Sequence, residues 1–144
     1  MAKMIALLLF AGLAVQPEIA HAGSVRIVVT GMKSADGEVR CSLFREAAGF
    51  PRKPEGAALR VTAPIRSGSA VCLFEEVPSG PAAVSVIHDA NNNKKLDLKF
   101  GIIPREGLGW SNNPEVRLSP PSFEAARFQV GNSPVSMTVK LLHR

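Results

Sequence analysis

The stretch His88-Asp89-Ala90-Asn91-Asn92-Asn93-Lys94-Lys95-Leu96-Asp97 gathers oxygen donors at a regular interval. Asp89, Asn91 and Asn93 stand at i, i+2 and i+4, and Asp97 follows at i+8. Calcium prefers about six to eight oxygen ligands, and an EF-hand-like loop supplies them from alternate positions, one through a backbone carbonyl. On that template the donors are Asp89, Asn91, Asn93, the main-chain carbonyl of Lys95 and Asp97, with Leu96 anchoring the loop to the core. Two positions break the template. Lys94 stands where the sharp turn wants Gly, and Phe100 where a bidentate Glu belongs. Glu106, further along, is a candidate for the missing carboxylate. The same residues have a metal-free reading, because Asn and Asp accept hydrogen bonds from their own backbone and tolerate left-handed φ. Both readings stand at this point, and calcium is the one cofactor these residues suggest.

His88, Asp89 and Glu106 are the residues from which an acid–base set would be built, and Ser111 is the nearest hydroxyl. Nothing around Ser111 resembles a nucleophile elbow. A paired-carboxylate hydrolase needs a fixed separation, which spacing along the chain does not supply. A lone histidine at the end of a strand is more often a hydrogen-bonded structural residue than a base. The expectation is a non-catalytic domain, with a hydrolase using His88 as the weakest reading. Between the two lies a ligand-binding reading, in which His88, Glu106, Trp110, Asn112 and Asn113 form the site. Trp110 is the single tryptophan; it stacks on a sugar ring if exposed and fills the core if buried, the commoner fate. The partner implied is a glycan, an envelope component or a protein.

These residues must be held by short strands and turns. Residues 24–30 are β-branched and stop at Gly31, and Asp36-Gly37 signals a hairpin leading to Glu38–Phe44. Residues 58–63 make a weaker strand before Pro64. Residues 69–75 alternate, with Ala70, Cys72 and Phe74 on one face. A Val77-Pro78-Ser79-Gly80 turn precedes an apolar run over residues 81–88. Residues 123–130 and 135–142 read as a second hairpin around Gly131-Asn132-Ser133-Pro134, with a single helical turn available at 124–127. About seven strands with regular turn signals predict an all-β, immunoglobulin-like or transthyretin-like antiparallel sandwich. The long segment from Asp89 to Phe123 is then one ordered loop, since unstructured loops of that length are uncommon in compact domains.

Lys3, the apolar run from Met4 to Val15 and Ala20-His21-Ala22 have the form of a signal peptide cleaved after Ala22. The run is too short to span a bilayer, which needs roughly 20 residues. The expectation is a leader over residues 1–22, one domain over 23–144, no later transmembrane segment, and a periplasmic or secreted location. The only cysteines are Cys41 and Cys72. In an exported chain an even pair reads as a disulfide, two buried thiols being the alternative. The formal charge is +5, but the basic residues are scattered without interleaved aromatics, which excludes a nucleic-acid platform.

The loop also carries a resemblance. His88 to Asp97, then Phe100-Gly101-Ile102-Ile103-Pro104-Arg105-Glu106-Gly107-Leu108-Gly109-Trp110-Ser111-Asn112-Asn113, then Pro121-Ser122-Phe123, resemble the pattern of a family of exported bacterial proteins, domain of unknown function 2141. Val77-Pro78-Ser79-Gly80 matches that family's turn before its central strand. The chain departs from the pattern at Asn92 and Lys94, where the family has Gly, and at Trp110, where it has Phe. The resemblance covers nearly all of residues 23–144 and implies a β-sandwich, with no reaction attached.

Overall fold

Alternation of apolar residues organises the molecule, whose computed structural model describes residues 22–96, 98–99, 103–104 and 106–144. Strand β1 (Ala22–Thr30) buries Val25, Ile27 and Val29, and β2 (Glu38–Phe44) buries Val39, Cys41 and Leu43. After β3 (Leu59–Pro64), β4 (Ala70–Pro78) buries Ala70, Cys72 and Phe74 while Val71 and Leu73 face outward. β5 (Gly80–Asp89) buries Ala82, Val84 and Val86 on the same core. Then come β6 (Leu98–Lys99), β7 (Ile103–Pro104), β8 (Leu108–Trp110), the helical turn α1 (Phe123–Ala126), β9 (Phe128–Val130) and β10 (Val135–Lys140). One sheet has the order β10-β1-β4; a five-stranded sheet has the order β3-β2-β5-β8, with β9 also on β5. Their facing apolar sides make a β-sandwich core. Ladders are antiparallel, as expected, except that β1 and β10 pair in parallel.

Connectivity departs from both expected hairpins. β1 and β2 belong to different sheets, so Asp36-Gly37 ends an arch across the sandwich. Likewise β9 lies on β5 and β10 lies on β1, so residues 131–134 also change sheets. A glycine at positive φ, such as Gly37 at +73°, redirects the chain equally well for either purpose. The arch sends β1 and β2 to opposite sheets, where the apolar face of each is buried in the one core the sheets share. The Cys41–Cys72 disulfide links β2 to β4, one strand from each sheet, with Cα atoms 6.4 Å apart.

The segment after β5 has its own order, as expected for its length. β6 and β7 pair with each other, and β8 returns to β5 with Trp110 opposite Ser85. Beneath it a second core joins Phe44, Ala83, Trp110, Phe123 and Ala126, packed against Phe50. The Ser122 side chain caps α1 by accepting the Ala125 N–H. The expected leader lies outside the described residues as far as residue 21, and Ala22 opens β1. Among the described residues no helix is long and apolar enough to cross a membrane.

Candidate functional site

β5 ends by delivering His88 and Asp89 to opposite faces of its sheet, because successive strand residues point opposite ways. His88 is buried, and its Nε2 lies 2.7 Å from the Asp36 carbonyl oxygen. A carbonyl only accepts, so Nε2 carries the hydrogen. Next to Asp36, Gly37 packs on the start of the loop. A Cβ there would overlap the Asp89 carbonyl oxygen and stand 2.6 Å from Ala90 Cα. The arch and the loop are therefore in backbone contact.

Asp89 lies on the outer face, yet it is 0% exposed because the loop closes around its carboxylate. Its Oδ2 accepts the Lys94 N–H at 2.8 Å, and its Oδ1 accepts the Asn93 N–H at 3.3 Å. That same N–H also donates to Asn91 Oδ1 at 3.2 Å, so oxygens of Asp89 and Asn91 converge on one point. Asn93 Oδ1 in turn accepts the Lys95 N–H at 2.9 Å. Asn92 and Lys94 take the left-handed conformation, at φ 55° and 60°. Lys94 thus adopts the backbone state for which the calcium-loop template uses Gly, at a cost of about 1–2 kcal/mol. Leu96 does not anchor the loop: it is 39% exposed, since the buried side chain at the head of the loop is Asp89 instead. Asp97 lies outside the described residues.

Sequence reasoning missed one neighbour. Glu38, the first residue of β2, stands in register opposite Asp89 on the same outer face. Directly opposed side chains in an antiparallel pair have Cβ atoms about 4.5–5.5 Å apart, and like charges there repel. No local signal points to Glu38, since its proximity comes wholly from β2–β5 pairing. Among the described residues no three His, Cys, Asp or Glu side chains gather as a metal-binding group. The donors the loop offers are one buried carboxylate plus amide and carbonyl oxygens, which suit a hard cation rather than a soft one.

The remaining site candidates fall elsewhere. Glu106 and Trp110 meet at a recess of about 30 Å³ that Leu108, Val116, Leu142 and Arg144 complete. That volume holds a water or two, far below the roughly 300 Å³ of a typical ligand pocket. Trp110 is 7% exposed and belongs to the second core, so of its two expected placements burial is the one found. Asn112 donates to the Arg127 carbonyl, while Asn113 donates to the Thr138 carbonyl and accepts the Lys140 N–H. Both brace the return of the loop against α1 and β10. Ser111 is fully buried, accepting the Val84 N–H at 2.9 Å and donating to the Ala126 carbonyl at 2.6 Å. His88 and Ser111 thus lie in separate hydrogen-bonding environments, each directed at main chain.

A family model described as an uncharacterized protein conserved in bacteria, DUF2141, matches residues 27–138, which span both sheets and the loop. No curated protein and no solved structure matches the chain.

Proposed function

From the premise that the chain belongs to the DUF2141 family of bacterial proteins, we propose that it is an exported, non-catalytic binding or structural module whose loop after β5 holds a calcium ion. Asp89, Asn91 and Asn93 supply side-chain oxygens, Lys95 its carbonyl, and Asp97 a second carboxylate. Glu38 adds a carboxylate from the neighbouring strand. The observation that carries this reading is Asp89: a fully buried carboxylate, opposite a second carboxylate, at the head of an oxygen-rich loop. Burying a charge beside a like charge is costly unless something compensates it, and a divalent cation does so most fully. The leader-like start of the sequence and the inter-sheet disulfide support an extracytoplasmic location. The partner is then an envelope component, a glycan or a protein. No catalytic role is assigned to His88, whose one assigned ring contact is with the Asp36 carbonyl.

A specific observation favours a second reading, a metal-free structural loop. Each of Asp89, Asn91 and Asn93 already accepts a backbone N–H within the loop. Melting temperatures in excess EDTA and in millimolar calcium separate the two. A ligand at 100 times its Kd, binding only the folded state, adds about 2.7 kcal/mol, or several degrees for one domain. The expected result is such a rise in the wild type and none in Asp89→Ala, each protein compared with itself. Equal melting temperatures in both buffers leave the loop a self-satisfied turn.

A further inference from the structure

The calcium reading makes no use of His88, yet this buried side chain reaches from the head of the loop to the Asp36 carbonyl of the neighbouring segment. The 31–37 arch is held at its two ends. At its start, His143 Nε2 lies 2.7 Å from the Gly31 carbonyl, and the Leu141 N–H donates to the Thr30 carbonyl. At its end, His88 bonds the Asp36 carbonyl and Gly37 sits on the Asp89–Ala90 backbone. The hydrogen bond found within the arch is local, from the Asp36 N–H to Ser34 Oγ. The end nearest the loop is thus positioned by one imidazole and by the absence of one Cβ, beside the Glu38–Asp89 ladder pair that begins β2.

Resting on the calcium reading of the loop, we propose that His88 is a positioning residue that, with Gly37, locks the 31–37 arch to the Asp89 loop, so that arch and loop respond to a bound cation as one surface. The chemistry needs a buried donor that reaches a carbonyl on the neighbouring segment. An imidazole Nε2–H does this, and so does the Nε2 amide of Gln, whereas Ala, Val or Leu fills space and donates nothing. Glu38 follows Gly37 directly and is itself held opposite Asp89 by the β2–β5 ladder, so the lock joins the arch where the two carboxylates already face each other.

Hydrogen exchange read by mass spectrometry on peptides covering the arch and residues 89–96 tests this in the oxidised protein, with EDTA or with calcium chloride. Calcium at ten times its Kd should slow exchange about tenfold wherever opening releases the ion. The expected result is slowing in both segments in wild type and in His88→Gln, and in the loop alone in His88→Ala. Protection of the loop without the arch in wild type overturns the lock while leaving the calcium site intact; this comparison needs no variant to fold. If calcium protects neither segment and calorimetry shows no binding, the calcium reading fails separately. The lock is then judged in EDTA. Faster exchange of both segments in His88→Ala than in His88→Gln upholds it, and unchanged exchange of the loop overturns it.

Discussion

At the scale of single residues, the polar groups buried in this domain divide by what they hold. Asp89 gathers the N–H groups of its own loop, and its neighbours Asn91 and Asn93 continue the pattern. These bonds are short-range, so the Asx turn was legible from the chain itself. Ser111 works at long range instead, tying β5 to α1 through one hydroxyl. Removing that hydroxyl leaves the Val84 N–H and the Ala126 carbonyl without it in a site sealed from water. Each such loss costs about 1–3 kcal/mol. Ser111→Ala should therefore lower stability by roughly 2–6 kcal/mol, read as a lower urea midpoint at unchanged m-value. Because the hydroxyl bonds Val84 and Ala126 and none of the oxygen donors at residues 89–97, calcium affinity should stay the same. Loss of calcium binding with unchanged stability would reverse the assignment and make Ser111 part of the site.

At the scale of elements, β8 is what turns a long loop into part of the sandwich. It pairs with β5 on one side, and Leu108 forms a bridge with Leu142 on the other, so the chain's last residues close the sheet. Close approach is what this requires. A Cβ on Gly109 would lie 2.5 Å from Val139 Cγ1, and one on Gly107 would lie 2.6 Å from His143 Cε1. Val139 is fully buried and cannot swing away. Overpacking of this kind costs about 1–3 kcal/mol. Gly109→Ala should lower the melting temperature by several degrees, with near-ultraviolet circular dichroism from Trp110 altered because β8 is displaced. An unchanged melting temperature would mean that β8 and β10 are not packed at this distance. In the sequence these glycines stand only as part of the family-like pattern from Phe100 to Asn113. Their true constraint, contact with β10 and the tail, depends on residues some thirty positions away.

At the scale of the whole molecule, the chain crosses between the two sheets several times, as from β1 to β2 and from β3 to β4, and the disulfide spans the two. Cys41 and Cys72 are 1% and 0% exposed, with a sequence separation of 31. Closing a loop of that size restricts the unfolded chain by about 3–4 kcal/mol. Reductant alone should leave the bond intact in the folded protein, because neither sulfur is accessible. Reductant with denaturant should release it, and the Cys41→Ser/Cys72→Ser variant should unfold at a distinctly lower urea concentration. Mass spectrometry after thiol labelling checks the first point and equilibrium unfolding the second. Rapid labelling under native conditions would show instead that the sheets separate readily.

Local patterning by itself determined β1 to β5 and β10, the inward face shared by each cysteine with its strand neighbours, and the turn-forming nature of the Asp89 loop, but not β6, β7 and β8 within the long segment read as one loop. Each rests on a period of two or on bonds spanning a few residues, and these survive in any tertiary arrangement. Tertiary structure alone decided which strands pair. Asp36-Gly37 and residues 131–134 carry turn chemistry equally suited to a hairpin or an arch, and the pairing of β1 with β4 and β10, and of β2 with β3 and β5, made each an arch. That pairing set Glu38 opposite Asp89 and His88 against Asp36. The loop's own donors are written in consecutive residues, but its neighbours are assembled by strand pairing, which no local period encodes.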